Sequence, residues 1–175
     1  MDEYRLPLKI AAYLLEYPDE NWRQDFPEYR AAVEEISISQ VRDAFRDLFS
    51  YIESLGAREY ENLYVRSFDF SQNTNLYLTT HNRTDFGKQA QELHEFKKLF
   101  LANGYDLERE LPDYLPAILE LAAAVPAENA KKILDAARDK IELLRDRFIE
   151  AKLAQAFLLD VILTQADRLE VTKHE

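Results

Sequence analysis

Three histidines, His81, His94 and His174, are the imidazoles available for chemistry. A carboxylate-bridged metal centre in a helical bundle wants a Glu three residues before a His. The residues found there are Leu78, Gln91 and Val171. His94-Glu95 opens like a zinc-protease helix, but Lys98 stands where the second imidazole has to fall on the same face. Gly87-Lys88 would need a glycine five residues before Gly87 to cradle phosphate, and Asn82 is there. Ser50, Ser54, Ser67 and Ser71 lack the glycine-flanked elbow of a hydrolase nucleophile. With no cysteine, thiolate catalysis, disulfides and Cys-ligated metal are all excluded. These spacings predict a non-enzyme with no catalytic residue and no metal site.

One stretch is suited to recognition instead. Tyr64-Val65-Arg66-Ser67-Phe68-Asp69-Phe70, followed by Leu76-Tyr77-Leu78-Thr79-Thr80-His81, crowds large rings beside polar tips. Tyrosine and histidine present an apolar body with a hydrogen-bonding end, which suits a wet binding face. Rings filling a core satisfy the same pattern.

The elements that must position this stretch are helices. Apolar residues recur at three- and four-residue steps almost throughout, and only three glycines interrupt them. The spacing predicts a first helix over Leu6 to Glu16, stopped before Pro18, and then a turn region through Pro27. Ser37 and Gln40 have capping-box spacing for a helix carrying Val41, Phe45, Leu48, Phe49, Ile52 and Leu55 and ending at Gly56. A third helix covers Glu59 to about Phe70. Ser71 to Thr74 reads as a turn, and Leu76 to His81 as either a short helix or an extended segment.

Thr84 and Asp85 are placed to cap a long helix running to Gly104. Pro112 suits the first turn of a helix that reaches Ala124 and also contains Pro116. From Ala127 the periodicity continues through Ile162 without Pro or Gly, which predicts one long or gently broken helix. No repeat or linker divides the chain, so residues 1–175 read as one all-α helical bundle.

Composition narrows the partners. The net charge is −11, from 33 acids and 22 bases, and repels phosphate backbones and anionic lipid. Nucleic acid is a poor partner on that ground. No apolar run approaches the ~20 residues a bilayer needs. Met1-Asp2-Glu3 is acidic where an export signal is basic, so a cytoplasmic protein is expected.

The chain resembles the NarJ family of nitrate reductase chaperones, within the wider TorD-like group. The resemblance rests on Leu14-Leu15-Glu16-Tyr17-Pro18, on Tyr64, Phe68-Asp69 and Leu76-Tyr77-Leu78-Thr79 with His81, and on Leu111-Pro112-Asp113-Tyr114-Leu115-Pro116. It covers the chain from the first helix to the helix after Pro116. Tyr114 stands where the family usually has histidine. Asn82 to Lys88, before Gln89-Ala90, has fewer arginines than relatives, and the acidic extension of long members is lacking.

The resemblance implies a TorD-like all-α chaperone. Its partner would be the N-terminal peptide of the nitrate reductase catalytic subunit, held away from premature membrane attachment while the molybdenum cofactor is inserted. The bis-molybdopterin guanine dinucleotide would belong to the client, with none bound stably by this chain. Tyr64, Phe68, Leu76 and Leu78 are expected to offer apolar contacts to a peptide helix. Asp69 and Asp113 would meet basic residues, His81 would supply a hydrogen bond, and Tyr114 completes the peptide-binding set. A sibling molybdoenzyme client, such as a trimethylamine oxide or dimethyl sulfoxide reductase, or a scaffold role without a chaperone cycle, are the alternatives. Both a monomer and a dimer stay open.

Overall fold

The computed structural model describes residues 3–81, 86–108 and 110–171, with the side chains of 170 and 171 excepted. Eight α-helices are described: α1 (Arg5–Leu15), α2 (Glu20–Ala32), α3 (Ser39–Leu55), α4 (Ala57–Tyr64), α5 (Phe86–Ala102), α6 (Leu115–Ala124), α7 (Ala127–Glu150) and α8 (Ala156–Val171). A π-helical turn (Val65–Asp69) extends α4, and single 3-10 turns occupy Val33–Glu35 and Leu78–Thr80. No strand occurs among the described residues, so the all-α expectation holds. One isolated antiparallel bridge joins Tyr77 to Tyr114.

Helix α1 is the axis of the core, because Leu8 and Ile10 to Leu15 are all buried, leaving no solvent face over that stretch. It runs antiparallel to α6. Tyr4 Oη donates to Val125 O (2.8 Å) and Arg5 Nη1 to Ala123 O (3.0 Å), so the start of α1 satisfies carbonyls at the end of α6. Helices α7 and α8 form an antiparallel hairpin packed on α1 and α6. Arg138–Asp167 (2.8 Å) and Arg145–Asp160 are ion pairs in its antiparallel register.

Four expectations are corrected. The region through Pro27 is helix α2, because Asp19 accepts from Trp22 N (2.8 Å) and caps it. Pro27 is tolerated on the exposed face, where water replaces the hydrogen bond it removes. Tertiary contacts hold this helix: Trp22 stacks on Tyr13 with centroids 4.7 Å apart. Their backbones and tips are cross-bonded, Trp22 Nε1 to Tyr13 O (2.7 Å) and Tyr13 Oη to Trp22 O (2.6 Å).

The capping box at Ser37 and Gln40 does not form, since α3 starts at Ser39 behind Ile38 with no side-chain cap. Burial of Val33 and Ile36 in the core sets the entry to α3 instead. Pro112 precedes α6 rather than entering it, and Pro116 takes the tolerated first-turn position.

The long helix breaks sharply. One helix from 127 to 171 would be about 67 Å long, far beyond the width of such a domain. Folding back lets Leu158, Leu159 and Ile162 be buried in the same core as Ile141, Leu144 and Phe148. The chain turns at Lys152, whose φ is +57°. Leu153 N donates to Phe148 O (3.0 Å) there, as Tyr105 N does to Phe100 O (2.9 Å) at the predicted stop of α5, where Gly104 has φ +84°. The suggested caps Thr84 and Asp85 lie outside the described residues.

Candidate functional site

The two stretches that carry the family resemblance, 64–81 and 111–116, meet and zip together. Leu78 N donates to Asp113 O (3.0 Å) and Leu115 N donates to Leu76 O (2.9 Å). Leu76–Tyr77 is therefore extended and Leu78–Thr80 is a 3-10 turn, so both readings of that segment are realised in part. Leu76 and Leu78 point into the core, 2% and 0% exposed.

Side chains reinforce the clasp. Asp113, 1% exposed, accepts on Oδ2 from Thr79 N (3.1 Å) and Thr79 Oγ1 (2.7 Å), and Gln89 Nε2 donates to the same hydroxyl (3.3 Å). Asp113 thus precedes α6 without capping it. Asp113 Oδ1 is buried without a hydrogen-bond partner.

His81 is clamped between two elements. Its Nδ1 lies 2.6 Å from Arg147 Nη1 and its Nε2 2.7 Å from Asn75 O, while Arg147 Nη2 donates to His81 O (2.9 Å). An arginine is always a donor, so Nδ1 accepts and the proton sits on Nε2, facing the Asn75 carbonyl. Burial, with a smaller contribution from the Arg147 charge, pushes the imidazole below its usual range. It is a neutral tie from the clasp to α7.

The rings form a layer beneath. Tyr64 donates to Leu15 O (2.7 Å) and packs edge-on to Phe68 (4.8 Å), which reaches Phe148 of α7 (5.5 Å). Tyr114 is hydrogen-bonded to Tyr64 and lies 5.1 Å from the Tyr77 ring. Burial holds both hydroxyls of the Tyr64–Tyr114 pair protonated, well above the usual phenol range.

Of the eight residues singled out from sequence, Tyr64, Phe68, Leu76, Leu78, His81 and Asp113 are buried in this conformation. Asp69 is exposed and Tyr114 half-buried. The turn after Asp69 is held by other residues: Ser71 Oγ accepts from Thr74 N (3.2 Å), and the Thr74 hydroxyl donates to Ser67 O. Tyr77, Asp69, Tyr114 and Glu110 therefore present the solvent side of the clasp, with Glu110 close enough to raise both tyrosine hydroxyls. Sequence reading passed over Thr79 and Arg147 as partners. Thr79 stood inside the quoted family element, whereas Arg147 is 66 residues from His81 and carried no local signal.

Next to Glu110 lies a carboxyl pair. Glu16, at the end of α1, is hydrogen-bonded to Glu120 of α6. Burial, then the charge of Glu120, raises the Glu16 carboxyl to about 8, with Glu110 and Asp19 adding to the effect.

Among the described residues no cluster of His, Asp or Glu could hold a metal ion, and no helix is long and apolar enough to cross a membrane. The family model described as "Nitrate reductase delta subunit" matches residues 17–155. A Bacillus subtilis (strain 168) protein named "Probable nitrate reductase molybdenum cofactor assembly chaperone NarJ" is 33% identical over 95% of this chain and 91% of its own length. The "Nitrate reductase molybdenum cofactor assembly chaperone NarJ" of Escherichia coli (strain K12) is 28% identical over 93% of this chain and 70% of its own. "Nitrate reductase-like protein NarX" of Mycobacterium tuberculosis (strain ATCC 25618 / H37Rv) is 30% identical over 61% of this chain, which is 16% of that protein.

Proposed function

Because the chain belongs to the nitrate reductase delta subunit family, we propose that it is a cytoplasmic, NarJ-type assembly chaperone for a nitrate reductase. Its client contact is the N-terminal segment of the catalytic subunit. It binds that segment while the molybdenum cofactor is inserted and keeps the apoenzyme from premature membrane attachment. The cofactor remains the client's.

The observation that carries this reading is similarity to a named assembly chaperone across nearly the whole of both chains. The clasp supports it: the motifs shared with that family form one mutually bonded unit whose outer side is acidic and aromatic. Tyr64, Phe68, Leu76, Leu78, His81 and Asp113 serve the peptide from beneath, holding the wall in shape. Asp69 and Tyr114 are placed to touch it.

Calorimetric titration with a peptide from the N-terminus of the catalytic subunit of the same organism tests the reading, with a scrambled peptide as control. Saturable, sequence-dependent binding is expected. Binding of a trimethylamine oxide or dimethyl sulfoxide reductase peptide in its place would transfer the client assignment to that enzyme. Binding of neither would leave a scaffold role.

A further inference from the structure

Beside the clasp, two adjoining hollows of about 410 and 300 Å³ open between the end of α5, the segment 103–112 and α6. Phe100, Tyr105, Asp106 and Leu107 line both, making one continuous groove. Its floor and lips are apolar: Phe100 and Leu121 below, with Leu101, Tyr105 and Leu111 about half exposed at the edge. Exposed large apolar side chains grouped around a concavity are a feature of docking surfaces rather than of ordinary solvated faces. The volume suits several side chains of a helical or extended segment.

The charge of the rim selects the occupant. Asp106, Glu108, Glu110 and Glu120 line the two hollows against Lys9 and Lys97 among the described residues. None of the four carboxylates has an ion-pair partner among the described pairs, and Glu120 also faces Glu16. Two carboxyls hydrogen-bonded to each other share a proton because they cannot both be charged at that distance. A cation placed between them removes that restriction. Anionic ligands, including phosphate-bearing cofactors, meet the opposite field.

We propose that this groove seats a basic, amphipathic peptide segment, its apolar side chains against Phe100, Tyr105, Leu111 and Leu121 and one Lys or Arg side chain at the Glu16–Glu120 carboxyl pair. The occupant is the client segment of the chaperone reading, on which this inference rests for the identity of the peptide but not for its chemistry. Docking exchanges the shared proton for the peptide cation and releases that proton to solvent. The raised Glu16 carboxyl is consistent with such an exchange near neutral pH.

The test is calorimetry at pH 7 in two buffers of different ionisation enthalpy, using two probes: the client N-terminal peptide and a designed Leu/Lys amphipathic peptide. Proteins are wild type, Tyr105→Ala/Leu111→Ser, Glu120→Gln and, as a control outside the groove, Tyr51→Ser. All of these sites are exposed, and thermal unfolding verifies that each variant is folded. Expected are a tenfold or greater weakening by the groove double variant and by Glu120→Gln, unchanged affinity for Tyr51→Ser, and proton release with wild type that disappears in Glu120→Gln. Client-peptide binding that is unaffected by the groove variants would overturn the groove while leaving the chaperone reading standing. Binding of the Leu/Lys peptide alone, with the expected variant sensitivity, would uphold the groove and remove the client. Failure of both probes would overturn the groove outright.

Discussion

Asp113 grips Thr79 twice, its Oδ2 accepting from the Thr79 amide at 3.1 Å and from the Thr79 hydroxyl at 2.7 Å. Both residues are within 1% of complete burial, so water cannot replace either bond. Asp113→Ala should therefore cost about 2 kcal/mol. For a chain of this size that lowers the melting temperature by about 4–8 °C. Asp113→Asn keeps an acceptor for Thr79 and should cost less than about 1 kcal/mol. Thermal unfolding followed by circular dichroism decides; an unchanged midpoint in Asp113→Ala would show that this pair does not hold the clasp.

The neutral His81 makes stability sensitive to acid. In the unfolded chain the imidazole takes up its proton near 6.5, and in the folded chain only at lower pH. Its contribution is complete above about pH 6.5 and is lost as the pH falls through the folded value. Denaturant midpoints at pH 7.5 and 5.5 should differ more for the wild type than for His81→Gln. Equal losses in the two proteins would rule the clamp out as the source.

Glu16 acts in the opposite sense. Its folded carboxyl holds a proton up to about 8, whereas the unfolded one releases it near 4.5. Its share of stability is present below 4.5 and is lost as the pH rises through 8. Glu16→Gln, permanently neutral, should therefore be stabilised relative to wild type more at pH 8.5 than at pH 5. A constant difference across that range would contradict the shared proton with Glu120.

Lys152 occupies a backbone position that glycine fills at Gly104. A β-carbon at positive φ costs about 1 kcal/mol, partly offset by the freedom glycine adds to the unfolded chain. Lys152→Gly should raise stability by about 0.5 kcal/mol, and Lys152→Val should lower it by about 1 kcal/mol or more, because a β-branched residue resists that φ. Chemical denaturation of the two variants measures this, and a stable Lys152→Val would mean that the turn tolerates another backbone path.

The all-α class, the stops of α3 at Gly56 and of α5 at Gly104, and the absence of catalytic spacings were legible in the sequence alone. Helical periodicity and glycine stops act within a turn or two of chain, so they are written locally. The two family motifs were legible too, as strings. That they bond to each other was not, because the bonds join Thr79 to Asp113 and Leu76 to Leu115, and no local pattern encodes a partner 34 or more residues away.

Helix α2 was hidden by Pro27, since a local rule against proline was overridden by the Trp22–Tyr13 stack. The turn at Lys152 had neither glycine nor proline to mark it. Its cause is burial of α8 on α7 and α1, which exists only in the folded molecule. Tertiary packing likewise decided which aromatics became core. Tyr64 and Phe68 have the same residue types and spacing as a surface recognition stripe, but α7 supplies Phe148 and α1 supplies the Leu15 carbonyl, and an apolar ring with its hydroxyl satisfied is most stable away from water.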